Sequence, residues 1–210
     1  VAARAEATPD LDVLTFEHLS VDGGATPDEV RTFADLQRNA NRIAAALVER
    51  GVQRGDRFAL MMRNHAEFVE AMIAASITGA IFVPIDPRTR GDKLAFMLAN
   101  SGCVGIVCAE YCVAELEAVR ARLPELRWTL VRETTLREVL ARDVATVDVR
   151  VDDPNVPLQI MYTSGTTGDP KGIVGANYRF CAAGMLGMLF GYRPDDRPYT
   201  GLSLTHGNAQ

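Results

Sequence analysis

A surplus of positive charge, a long hydrophobic run and a cysteine framework are all missing from this sequence. Its net charge is −5 over 210 residues, so no excess of cations is available to neutralise a nucleic-acid backbone, and bulk nucleic-acid binding is excluded. Any attraction for phosphate must then be local. The longest uncharged apolar run, residues 71–85, falls short of the roughly 20 residues a membrane-spanning helix needs. It is also broken by Ser76, Thr78, Gly79 and Pro84, and reads as a helix, a turn and a strand. The opening residues Val1–Glu6 carry no apolar core of a secretory signal, so a cytoplasmic location is expected. The four cysteines, Cys103, Cys108, Cys112 and Cys181, form no C-x-x-C pair and have no histidine nearby. Reduced, mostly buried thiols are expected in place of a metal site.

With 48 % apolar and 23 % charged residues, the composition is that of a globular protein able to build a sizeable core. Phe33, Leu36, Ala40, Ile43, Ala44, Leu47 and Val48 recur at helical spacing. Thr32, placed three before Asp35, can cap that helix, and Gly51 can stop it. A strand is expected over 58–62, a helix over 66–78 ended by Gly79, and a strand over 81–85. A helix near 92–99, a strand over 104–108, a helix over 113–123 and a strand over 128–131 follow. Residues 132–155 read as polar connection, then come a strand over 158–162 and a mostly apolar helix over 178–190. Core packing is expected for this last helix, with a homodimer face as the alternative. Near-continuous apolar strands between amphipathic helices predict an α/β fold, a mostly parallel sheet flanked by helices. Asp56 and Asp86 read as turn formers, Glu67 and Glu70 as solvated positions on a helix face, and His18 and His65 as structural or exposed.

The densest chemical signal is the segment 161–172, Met-Tyr-Thr-Ser-Gly-Thr-Thr-Gly-Asp-Pro-Lys-Gly. Backbone amides exposed by glycine, several hydroxyls and the ammonium of Lys171 together suit a polyphosphate. The segment springs from the carboxyl end of a predicted strand, where open α/β sheets bind ligands. It is not a Walker A loop, because Pro170 stands where that pattern has its second glycine and Gly172 follows the lysine.

The run "YTSGTTGDPKG" resembles the phosphate-binding loop of the adenylate-forming superfamily, which includes acyl-CoA synthetases, luciferases and peptide-synthetase adenylation domains. "TFADLQRNANRIAAALVERGVQRGDRFALMMRN" resembles that family's opening helix and first strand. "ITGAIFVPIDP" resembles its helix–Gly–strand segment, and "GLSLTHGNAQ" a later strand that carries a histidine. The resemblance implies the N-terminal part of the family's large domain, with residues 1–210 a partial AMP-binding domain and the C-terminal domain with its catalytic lysine absent. It implies an ATP-dependent carboxylic acid–CoA ligase using ATP, Mg²⁺ and coenzyme A on a small-molecule carboxylic acid, with the 210-residue portion inactive by itself. Thr163, Ser164, Thr166 and Thr167 would donate hydrogen bonds to the β- and γ-phosphates, and Gly165 and Gly168 would permit close approach. Lys171 would lie near the departing pyrophosphate, and His206 beside the acyl pocket. Ser203 and Thr205 replace residues that are often proline and aromatic in the family, which implies a more polar pocket than in ligases of long fatty acids. The alternatives are an aminoacyl-adenylating domain of a peptide synthetase and a non-catalytic fragment that keeps a phosphate loop.

Overall fold

Apolar runs separated by amphipathic segments assemble into one six-stranded sheet with helices on both faces. The computed structural model describes residues 1–17, 27–149, 151, 153–163, 169–193 and 196–209. Helix α1 (Ala2–Ala7) leads to an antiparallel pair, β1 (Asp12–Phe16) and β2 (Glu29–Thr32), which stands apart from the main sheet. Then follow α2 (Phe33–Glu49), β3 (Arg57–Met61), α3 (Ala66–Thr78), β4 (Ile81–Pro84), α4 (Gly91–Ser101), β5 (Cys103–Cys108), α5 (Val113–Val119) and β6 (Trp128–Val131). The short α6 (Arg137–Leu140), β7 (Pro157–Thr163), β8 (Lys171–Ala176) and α7 (Asn177–Leu189) complete the order. The sheet runs β6-β5-β3-β4-β7-β8 and is parallel except for the antiparallel pair β7–β8.

Strands β3, β4 and β5 are buried on both faces, which explains their near-continuous apolar sequences. Successive side chains of a strand point to opposite faces. Phe58 and Leu60 therefore join a core with Ile43, Leu47 and Phe68 from α2 and α3. Ala59 and Met61 join the opposite core with Leu94, Leu98 and Leu116 from α4 and α5.

Local signals set most boundaries. Thr32 and Asp35 form a reciprocal cap on α2: the Asp35 amide donates to Thr32 Oγ1 at 3.1 Å and the Thr32 amide to Asp35 Oδ2 at 3.0 Å. Gly79, at φ 72°, ends α3 in the left-handed region that side chains disfavour. At Gly105 the requirement is space, since a Cβ there would sit 1.9 Å from the Trp128 ring. Asp56 and Asp86 act as turn formers: Asp56 accepts from the Gln53 amide at 3.0 Å, and Asp86 from the Arg88 amide at 2.8 Å.

Several expectations need correction. Glu70 is fully buried and Glu67 is only 8 % exposed, because the polar side of α3 is covered by β2, α2 and the helical turns around Arg132. Arg31 Nε and Asn39 Nδ2 each donate to Glu70 Oε1 at 2.8 Å, and Arg132 Nε donates to Glu67 Oε2 at 2.9 Å. Burial pushes the Glu70 carboxyl up, while its hydrogen bonds from Asn39 and Arg31 oppose the shift. The segment read as polar connection contains helical turns from Arg132 to Leu140, with Leu136 and Val139 buried. Residues 171–176, of which Lys171 and Gly172 close the segment read as a loop, form edge strand β8. On helix α7, expected to pack in the core, Phe180 reaches inward with its ring 6.1 Å from that of Phe82, while Tyr178, Met185 and Leu189 are exposed; the side chains of Cys181, Ala183, Leu186 and Met188 lie outside the described residues.

Cys103, Cys108 and Cys112 are free and buried. Burial pushes the first two thiols up to about 12 and the third to about 11. The side chain of Cys181 lies outside the described residues. Among those residues no helix is long and apolar enough to cross a membrane.

Candidate active site

Strands β4 and β7 lie side by side and parallel, so their carboxyl ends open at the same edge of the sheet. Thr163 ends β7 and is paired in register with Lys171, the first residue of β8. Thr163 and Lys171 thus set a hydroxyl and an ammonium on adjacent strands. The Thr163 hydroxyl reaches the Lys171 carbonyl at 3.5 Å, and both residues are exposed. Ser164, Gly165, Thr166, Thr167 and Gly168 lie outside the described residues.

A cavity of about 370 Å³ opens at this edge. Met161 and Thr163 line it from β7, Asp86 from the turn after β4, Lys93 from α4, and Thr205 and His206 from the far end of the chain. Two of the predicted site residues, Thr163 and His206, therefore share one cavity. Lys171 stands next to it on the hairpin. A larger hollow of about 660 Å³ lies between β1 and residues 196–204, lined by apolar groups such as Leu11, Phe16 and Phe33 and by polar ones such as Glu17, Asn64 and Asp196. The smaller cavity is the better candidate, because hydroxyl, ammonium and imidazole groups converge there at the carboxyl ends of the strands.

The electrostatics of the cavity are mixed. Asp86 accepts from Arg88 Nε at 3.0 Å and Nη2 at 2.7 Å. These bonds hold its carboxyl below the usual carboxylate range, and the nearby charge of His206 lowers it further. Thr205 is buried, whereas His206 is exposed toward the cavity. The hydroxyls of Ser203 and Thr205 lie 2.9 Å apart and satisfy one another, while the His206 amide donates to the Ser203 carbonyl at 2.9 Å. The departures at Ser203 and Thr205 thus build a local turn and place a hydroxyl-bearing residue on the cavity wall.

Lys93 was not singled out by the sequence. A signal for it existed: Lys93 and Lys171 are the only lysines in a chain whose other cations are arginines, and both fall at this edge of the sheet. His65 precedes α3 and sets Nε2 3.2 Å from the Tyr111 hydroxyl. Burial, and then the charge of Arg132, lower its pKa, which fits a structural role. His18 lies outside the described residues.

The family model described as "AMP-binding enzyme" matches residues 1–210. Surfactin synthase subunit 3 of Bacillus subtilis (strain 168) is 34 % identical over 166 residues, covering 79 % of this chain and 12 % of that protein. Long-chain-fatty-acid–CoA ligase FadD13 of Mycobacterium tuberculosis (strain ATCC 25618 / H37Rv) is 36 % identical over 147 residues, covering 68 % of this chain and 29 % of that protein. Among solved structures, the inhibitor-bound N-terminal domain of FACL13 from Mycobacterium tuberculosis superposes with a TM-score of 0.84 at 30 % identity, over 98 % of this chain and 50 % of that one. The match thus spans half of that solved domain and less than a third of either curated relative.

Proposed function

The chain belongs to the AMP-binding, adenylate-forming enzyme family, and from that premise we propose that it serves an ATP-dependent carboxylic acid–CoA ligase. The observation that carries the proposal is the pairing of Thr163 with Lys171 at the end of the β7–β8 hairpin, beside a cavity that also holds His206. The likeness to FadD13 and to the FACL13 domain supports the choice of a CoA ligase.

In the proposed reaction a substrate carboxylate oxygen attacks the α-phosphorus of ATP. The bond from that phosphorus to the bridging oxygen breaks, and pyrophosphate leaves. The resulting acyl-adenylate carries AMP as a far better leaving group than oxide. The thiol of coenzyme A then attacks the acyl carbon, losing its proton as AMP departs. Such chemistry asks for positioning and charge stabilisation more than for covalent help. Thr163 would donate to a phosphate oxygen, together with Ser164, Thr166 and Thr167, while Gly165 and Gly168 would let the backbone come close. Lys171 would neutralise charge that develops on the departing pyrophosphate, and His206 would face the acyl group. Mg²⁺ would arrive on the oxygens of the triphosphate, since no group of three or more His, Cys, Asp or Glu side chains that could hold a metal ion stands among the described residues.

The test is acid-dependent pyrophosphate release by the natural polypeptide that carries these residues. Lys171→Ala is expected to slow it by about 10²–10³-fold, the scale on which loss of one preorganised charge-stabilising donor acts. Unchanged release in that variant removes Lys171 from the role.

A second reading is favoured by the surfactin synthase match: an aminoacyl-adenylating domain that loads a carrier protein. Screening amino acids against other carboxylic acids, with coenzyme A thioesters detected by mass spectrometry, separates the two. Thioester formation on free coenzyme A supports the ligase. Amino-acid activation without it supports the synthetase.

A further inference from the structure

We propose that Asn64 is a positioning residue for His206. This rests on the ligase reading for the activity it would modulate, but its geometry stands independently.

Asn64 sits in the turn between β3 and α3, far in sequence from the cavity's last wall. Its side-chain amide is used at both ends. Nδ2 donates to the Leu202 carbonyl at 2.9 Å, and Oδ1 accepts from the Leu204 amide at 2.8 Å. These contacts join positions 138 and 140 residues apart. They flank Ser203, whose carbonyl in turn accepts the His206 amide at 2.9 Å. A continuous set of hydrogen bonds therefore runs from Asn64 through the backbone around Ser203 to His206.

Residues 196–206 contain no helix or strand, so their backbone groups have no ladder partner, and each buried one needs another source. An asparagine amide supplies a donor and an acceptor together, as a neighbouring strand would. Beyond this grip Leu204 and Thr205 are buried, Leu204 within the core shared by α2 and α3. His206 then emerges into the cavity with Asp86, Lys93 and Thr163. The depth at which Leu204 seats sets where the imidazole lies, and Asn64 sets that depth from the rigid end of β3. Asn64 does not line the cavity that holds His206, so its effect on chemistry there passes through the backbone that carries His206.

The experiment compares the natural polypeptide with Asn64→Ala, His206→Ala and the double variant, using two readouts. The first is the ¹⁵N NMR signal of the His206 ring, identified by its disappearance in His206→Ala. In folded Asn64→Ala that signal is expected to shift or broaden, and an unmoved signal overturns the proposal. The second is kcat/KM for the carboxylic acid in pyrophosphate release. Asn64→Ala is expected to lower it by about tenfold, within the range that an ångström-scale misplacement costs, with KM for ATP unchanged. In the His206→Ala background the same change is expected to cost nothing further, because one interaction is being removed twice. A full, multiplicative loss in that background overturns the proposal. Asn64→Asp keeps the acceptor for the Leu204 amide but sets an oxygen against the Leu202 carbonyl in place of the donor, and serves if the alanine variant does not fold; both readouts are expected to move in it as well. If the unmodified protein shows no acid-dependent pyrophosphate release, the ligase reading fails, while the NMR readout still decides the positioning.

Discussion

Arg31 of β2 and Glu70 of α3 form an ion pair within the protein, Nε donating to Oε1 at 2.8 Å across 39 positions of sequence. It fastens the N-terminal β1–β2 hairpin to the helical layer of the main sheet. Asn39 of α2 donates to the same oxygen, while Glu70 Oε2 has no hydrogen-bond partner among the described residues. The carboxylate is therefore buried with one oxygen doubly bonded and the other bare.

That arrangement has a pH signature. Burial raises the Glu70 carboxyl above its ordinary 4.5, so the folded state holds the proton more tightly than the unfolded chain does. The associated stability is complete below about pH 4.5 and is lost as pH rises through the folded-state value. Relative to Glu70→Gln, which cannot titrate, the unmodified protein is expected to lose thermal stability as pH rises from 4.5 toward neutrality. Melting temperatures of both proteins across that interval provide the check, and a difference that stays flat with pH contradicts it.

Gly105 and Trp128 face one another across β5 and β6 at a distance that leaves no room for a methyl group. Gly105→Ala is expected to destabilise the fold by roughly 1–3 kcal/mol, the usual cost of overpacking. Trp128 is the only tryptophan, so its fluorescence reports the displacement directly. An unchanged emission maximum and an unchanged denaturation midpoint would show that the indole moves aside without cost.

The cap on α2 offers a smaller effect. Thr32→Ala removes the oxygen that accepts the Asp35 amide and is expected to cost about 1 kcal/mol. Urea denaturation should show a lower midpoint with an unaltered slope.

Cys103, Cys108 and Cys112 are expected to resist alkylation in the folded protein at pH 8, since their buried thiols remain protonated there. Peptide mapping after iodoacetamide treatment, with and without denaturant, tests this. Modification at any of the three in the native state contradicts the burial.

Much of the architecture was legible because its signals are local. A short apolar run, a helical period, Thr32 three residues ahead of Asp35, and glycines at 51, 79 and 102 each act within a few residues, so one window of sequence suffices. The boundaries of α3 follow from its sequence to the residue. Edge strand β8 escaped notice because its Lys-Gly-Ile-Val-Gly-Ala sequence has little strand character of its own. Its pairing with β7 makes it a strand.

The same division runs through the site. The hydroxyls, glycines and lysine of 161–172 led to the expectation of a phosphate loop, because those groups lie together along the chain. Whether Thr163 would share a cavity with His206, and that Lys93 would line it too, depended on the parallel order of β4 and β7 and on how residues 196–206 return to the sheet. Glu70 looked solvated because helical spacing tells which residues share a face but not what covers it. The sequence by itself determined helices α2 to α5, strands β3 to β7 and the Thr32 cap on α2. Only the tertiary structure decided strand order, the burial of Glu70 and the meeting of Asn64 with Leu202 and Leu204, since contacts between distant segments depend on packing that no local pattern encodes.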